Sequence, residues 1–288
     1  MAKKKSEWGQ SASQEIDIIR GMPEQMLESM AVGRMPDAQG LVGKHKQYGW
    51  VQVALQRGGM IPLWIGVALA QHAWIDGGLR AIEAAMAQQI DTKRLGPIWE
   101  SGYKAVEALE QRAWQLQRYD AHTTNRLMYD AQALMIPGRI YEVGWWSWLG
   151  RHFTMLGIDM QREDGAFQEA GADHILGHDS SYHGVSLLQF QQYAIHFRWP
   201  PYRPSIERAV EWIRGRILRD PDGKIDCTGN TRVDPEGDGE DFLGEKKQVD
   251  YVQMILGLFF YANHYTEGDI YADAERVVRY AATSGRAL

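Results

Sequence analysis

The 288-residue chain is 44% hydrophobic and 24% charged, enough for one large core or two small ones, which excludes a disordered chain. A formal net charge of −6 argues against general binding to nucleic acid or to a membrane surface, since both need a positive field. The single cysteine, Cys227, excludes an internal disulfide and a cysteine-rich metal site.

The opening "MAKKKSEWGQSASQE" has a basic start with no apolar stretch behind it, so no secretory signal is expected. Residues 1–40 read as a loosely docked arm ahead of a single domain over residues 41–288. The most apolar run, Met60 to Ile75, is too short for a bilayer span and is interrupted by Gln71 and His72, so it reads as a buried helix.

Helical periodicity dominates, over 60–88, 97–118, 123–136, 140–157, 181–197, 204–218, 247–264 and 270–284, with no comparable run of alternating strand residues. In "SIERAVEWIRGRIL", Ser205 is placed to cap a helix whose apolar stripe is Ile206, Ala209, Val210, Ile213 and Ile217. By contrast, "VDYVQMILGLFFYANHY" is apolar on nearly every side and belongs in an inner layer. Alternating amphipathic and all-apolar helices joined by Gly/Pro/Asp loops predict an all-α fold, an α/α toroid or partial barrel of stacked helical hairpins.

Two polar loops interrupt the helices, one in "DGAFQEAGADHILGHDSSYHGVSLLQF" from Asp164 to Phe190, the other from Arg219 to Lys247. In the second, Asp220, Asp222 and Asp226 resemble the start of a calcium loop, but Thr231 stands at the twelfth position and Pro221 lies inside the motif. A turn at "DPDG", of type I, is the plainer reading. In the first, His174, His178 and His183 lack a metal-binding spacing, and Ser180, Ser181 and Ser186 lack a nucleophile elbow. No metal site is assigned.

Two chemistries are open to the first loop. Asp164, Glu169 and Asp173 could supply the acid and the base or nucleophile of glycoside hydrolysis. Alternatively, Tyr182 and His174, with Asn125, fit abstraction of the weakly acidic proton beside a uronate carboxylate. An amide neutralises the developing charge, a base within hydrogen-bond reach takes the proton, and neighbouring cations lower the phenol's pKa. The abundance of Trp (11) and Tyr (13) over Phe (7) suits a wet groove in which sugars stack on rings.

The run from Asp164 to Phe190 resembles the corresponding stretch of toroidal polysaccharide lyases, chondroitin and hyaluronan lyases most closely. There an Asp-Gly-small-aromatic opening is followed by a histidine and then Ser-Tyr-Gly before an apolar helix. Those families carry a catalytic asparagine about fifty residues earlier and arginines about fifty residues later. Here Asn125 opens "NRLMYDAQAL", 49 residues before His174, and Arg232 ends "GNTR", 50 residues after Tyr182.

The resemblance implies that Asn125 neutralises the carboxylate, Tyr182 is base and acid, His174 assists, and Arg232 holds the tyrosine oxygen deprotonated. It puts an aromatic platform on Trp74, with Trp99 as the second choice. His183 stands where those lyases have glycine, and the first loop is longer here, so His178 is the alternative to His174. Toroidal alginate lyases, with a His-Asn-Tyr pattern, are a looser resemblance.

The resulting expectation is β-elimination on an anionic uronate polysaccharide or oligosaccharide, with no redox or organic cofactor implied. Trp74, Trp145, Trp146, Arg126, Glu169, His178 and His183 are the candidate substrate-binding residues, and Arg126, Arg162, Lys246 and Lys247 the cations that would attract an anion to an acidic protein. A helical glycoside hydrolase and a non-catalytic carbohydrate-binding protein are the alternatives.

Overall fold

A computed structural model describes residues 113–170, 175–197, 202–237, 247–265 and 267–284, together with Arg20, Met22, Val106, Glu107, Glu110 and Gln111. The expected arm over residues 1–40, Arg20 and Met22 excepted, and the expected helix over 60–88 lie outside these residues. The described part is mostly helical. Its helices are α1 (Ala113–Asp120), α2 (Thr124–Ile140), α3 (Gly144–Asp159), α4 (Ser180–Phe197), α5 (Arg203–Arg214), α6 (Tyr251–Tyr265) and α7 (Gly268–Thr283). None of them is long and apolar enough to cross a membrane.

Four short strands accompany the helices: β1 (Glu169–Ala170), β2 (Leu176–Gly177), β3 (Ile217–Arg219) and β4 (Asp222–Ile225). They form two antiparallel pairs, β1 with β2 and β3 with β4, with Glu169 opposite Gly177 and Ile217 opposite Ile225. Segments of two to four residues are too short to display an alternating pattern, which is why none is legible in the sequence. The "DPDG" run is the turn of the β3–β4 hairpin, as expected of a turn sequence, with a cis Asp220–Pro221 peptide and Gly223 at φ 88°.

The chain divides into two compact units, residues 1–116 with 129–151 and residues 117–128 with 152–288. In the first, α2 and α3 approach closely enough that a Cβ at Gly150 would lie 2.5 Å from Met135 Cβ. In the second, α4 packs on α5 and α6, and α6 on α7. Every residue of α6 from Tyr251 to Ala262 is buried, the inner-layer pattern its sequence predicts. Helix α5 buries Ile206, Ala209, Val210 and Ile213 and leaves Glu211 exposed, the amphipathic pattern of a helix with one face to solvent. Ile217, the fifth residue of the expected stripe, is also buried, but in β3.

The start of α5 differs from the expectation. The helix begins at Arg203 with Tyr202 as its cap residue and a proline in its first turn, so Ser205 lies inside that turn and does not cap. Proline's fixed φ suits this position, where its missing N–H costs nothing.

Glycine permits the closest approach in the second unit. A Cβ at Gly184 would come within 2.8 Å of Met254 Cβ, so α4 and α6 touch backbone to side chain just after residues 181 and 182. That contact seats the first turn of α4 against α6.

Candidate functional site

The N-terminus of α4 presents unpaired N–H groups that need acceptors. Asp179 supplies them: its Oδ1 accepts the N–H of Ser181 at 3.0 Å and of Tyr182 at 3.2 Å, the geometry of a helix N-cap. Its Oδ2 accepts two further N–H groups, from Arg232 at 3.1 Å and Val233 at 2.8 Å. One carboxylate therefore joins the backbone of Tyr182 to that of Arg232. Burial raises the Asp179 carboxyl above the usual range while the four N–H bonds oppose the rise.

The second polar loop is tied to the same helix start. Asn230 Oδ1 accepts the Ser180 N–H at 3.0 Å, Ser180 Oγ donates to the Asp226 carbonyl at 2.8 Å, and Thr231 N–H donates to the His178 carbonyl at 2.9 Å. The two loops thus share one set of backbone bonds.

Glu169, on β1, is 3% exposed. Arg232 Nε lies 3.1 Å from its Oε1 and donates to the Ala170 carbonyl at 2.8 Å. Burial pushes the Glu169 carboxyl up to about 8, Asp179 adds to the rise, and Arg232, Arg126 and Lys247 pull against it. Burial thus favours the protonated form of this acid near neutral pH, while the nearby guanidinium favours the ionised one.

Asn125 is 5% exposed and its Oδ1 has no hydrogen-bond partner. Helix α2 begins one residue earlier, at Thr124, so Asn125 lies within the first turn and does not cap it. The Thr124 N–H donates to the Gln168 carbonyl at 3.1 Å, which fastens the start of α2 to the residue before Glu169. Arg126 is 3.4 Å from Asp120.

Tyr182 is half-buried, and its hydroxyl oxygen accepts from Lys247 Nζ. Arg232 was expected on that oxygen. Its guanidinium instead serves Glu169 and Ala170, and a lysine from the segment before α6 stands at the phenol. The sequence marks Lys247 only as one of several local cations, because a contact across 65 positions leaves no local trace.

His183 was expected to touch substrate, yet it is 1% exposed. Its Nδ1 accepts the Phe167 N–H at 3.1 Å, its Nε2 donates to the Ala209 carbonyl at 2.8 Å, and its ring packs on Phe167 and Trp212. Burial drives its pKa down to about 3, so the ring is neutral and structural, with no nitrogen left for a ligand. A signal was present: His183 shares a helix face with Leu187 and Phe190, both buried.

His178 is half-buried, and its Nε2 accepts from Arg216 at 3.0 Å. Burial and that guanidinium lower its pKa, so Arg216 occupies the lone pair that a general base would use. His174, Trp74 and Trp99, with Asp173 and Lys246, lie outside the described residues.

In the first unit Trp146, a candidate substrate-binding residue, is 2% exposed and donates to Glu110 Oε2 at 3.3 Å, which makes it a core ring. Trp145 is 47% exposed, stacks on Trp148 at 4.8 Å and donates to Glu110 Oε1.

The expected acids and cations of the loops are otherwise engaged in short-range structure. Asp164 takes the Ala166 N–H and pairs with Arg162 at 3.6 Å. Asp222 pairs with Arg276 and Asp226 with Arg216, which accounts for two carboxylates of the calcium-like run. Among the described residues no group of three or more His, Cys, Asp or Glu side chains is placed to hold a metal ion.

No family model, no curated protein and no solved structure matches the chain.

Proposed function

We propose that the chain is a polysaccharide lyase that cleaves a uronic-acid polysaccharide by β-elimination, on an α/α toroid or partial barrel. The Asn125 amide faces the uronate carboxylate. The Tyr182 oxygen takes the C5 proton, and His174 assists it. The electron pair of the C–H bond becomes the C4=C5 double bond as the C4–O bond breaks. The phenol then returns its proton to the leaving oxygen.

One observation carries this reading: Tyr182, Arg232 and the residue before Asn125 belong to one bonded framework around two buried acids, Asp179 and Glu169. Asp179 binds the N–H groups of Tyr182 and Arg232, Arg232 binds Glu169, and the residue before Asn125 binds the residue before Glu169. With burial raising the Glu169 carboxyl towards its neutral form, part of the Arg232 charge is left to suit an anionic sugar. The Asn125 oxygen beside this framework is a buried acceptor without a hydrogen-bond partner, an arrangement that costs about 1–3 kcal/mol and marks the position as more than structural.

The test is a panel of uronate polymers assayed for the ultraviolet absorbance of the conjugated product. Activity on at least one polymer is expected, with Tyr182→Phe reducing it ~10²–10⁴-fold. Product formation undiminished in Tyr182→Phe would exclude the tyrosine as base.

Glycoside hydrolysis is the second reading, favoured by Glu169, whose carboxyl at about 8 is protonated as a general acid must be. It needs a second carboxylate, and Asp179 is committed to four backbone N–H groups. New reducing ends without ultraviolet absorbance, lost in Glu169→Gln and kept in Tyr182→Phe, would establish it.

A further inference from the structure

Lys247 is fixed in place by its neighbours. Three residues on, the Asp250 N–H donates to Ser181 Oγ at 2.8 Å, so the segment before α6 is fastened beside residues 181 and 182. The Tyr182 backbone is held from the other side by Asp179. The ammonium meets the phenol in two ways: Nζ donates to the hydroxyl oxygen and lies 4.7 Å from the ring centroid. A phenolate spreads its charge from oxygen into ring, so one cation in this position favours the ionised form through both contacts.

Among the described residues, the nearby charged groups have other partners. Glu169 on β1 is near enough for Lys247 to pull its pKa down, but burial raises that carboxyl to about 8 and so weakens its competition for the ammonium. Asp179 at the start of α4 is committed to its N–H groups, and the Asp250 carboxylate accepts the N–H and the Nε2 of Gln253. The guanidinium of Arg232, from the second loop, lies on Glu169, and that of Arg126, from α2, lies by Asp120.

We propose that Lys247 is a positioning residue that lowers the pH at which the Tyr182 phenol ionises, making the tyrosine a competent base near neutrality. The catalytic meaning of this inference rests on the lyase reading; the ionisation itself does not. In the elimination, Lys247 keeps its own proton throughout. It holds the phenolate before the C5 proton arrives and releases its grip as the phenol forms.

The experiment is a pH titration of the full chain, without substrate, labelled with ¹³Cζ-tyrosine and followed by NMR. The signal missing from Tyr182→Phe identifies residue 182. Its midpoint is expected below those of the other exposed tyrosines, to rise by about one pH unit or more in Lys247→Met, and to stay low in Lys247→Arg, which keeps the charge. Lys247→Gln serves as a second neutral variant, and the unchanged signals of the other tyrosines report that each variant is folded.

A midpoint that does not move in either neutral variant overturns the proposal. So does a midpoint that moves as far in Lys247→Arg as in Lys247→Met. Where lyase activity is found, its rising pH limb is expected to shift with the phenol, roughly tenfold in kcat/KM per unit on the limb. A shifted titration with no lyase activity on any polymer would sink the lyase reading and leave the Lys247–Tyr182 coupling standing. Activity with an unshifted titration would do the reverse.

Discussion

The first turn of α4 and the turns that follow it are buried in opposite ways. From Gly184 onward the helix lies on α6 through Leu187, Leu188 and the glycine contact with Met254, where apolar burial is favourable, and the polar groups buried in this stretch, Ser186, Gln189, Gln191 and Gln192, are uncharged. At Ser180 to Tyr182 the same helix is surrounded by Asp179, Glu169, Arg232 and Lys247, where each buried group requires a partner. The apolar stretch confers stability. The polar end sets directions, since four N–H groups and two cations fix where the phenol and the guanidinium stand. Buried charge is an inefficient way to stabilise a fold, which makes its concentration at one helix end a mark of function.

The strongest way to break that contrast is Asp179→Ala. It strands the N–H groups of Ser181, Tyr182, Arg232 and Val233 together, and removal of one partner from such a buried set costs about 3–5 kcal/mol. Chemical denaturation should register the loss as a lower midpoint. A loss below about 1 kcal/mol would mean that water replaces the carboxylate easily and that the hub is less closed than its exposure implies.

A smaller effect is expected at the apolar end. Gly184→Ala places a methyl group against Met254 and should cost about 1–3 kcal/mol by overpacking. Because the strain falls two residues from Tyr182, the variant should also disturb the Lys247–Tyr182 pairing, visible as a displaced Tyr182 resonance. Stability lost with no change at Tyr182 would show that the two ends of the helix are independent.

The helical part of this arrangement was legible in the residues, and the polar end much less so. The stripe of α5 and the uniform apolarity of α6 follow from spacing and composition, which act over a few turns. Asp179 carries a readable signal, an acid directly before a helical apolar run, yet its second pair of N–H partners lies 53 and 54 positions away. Lys247 and Arg232 exchange the roles expected of them because both are cations at comparable separations from Tyr182. The Asp250–Ser181 bond fastens the lysine's segment beside the phenol, and the bonds to Asp179 and Ala170 hold Arg232 away from it. His183 was misread for the opposite reason: a titratable ring in a loop-rich stretch suggests chemistry, whereas its helix face places it in the core.

The least disruptive change sharpens the comparison most. Glu169→Gln keeps the size of the buried acid and the charge of its protonated form, so below about pH 4.5, where wild type is protonated both folded and unfolded, the two should differ in stability by about 1 kcal/mol or less. The difference emerges with pH. The unfolded chain loses the Glu169 proton near 4.5 and the folded chain near 8, so between those values the folded state binds the extra proton and stability falls as pH rises. Below 4.5 this contribution is fully present, and above about 8 no more is lost. In Glu169→Gln that slope should disappear, so the variant gains on wild type steadily from pH 5 to pH 8 in denaturation midpoint. Parallel curves would mean that Arg232 keeps the carboxylate ionised in the fold, and the surplus positive charge assigned to the site would vanish with it.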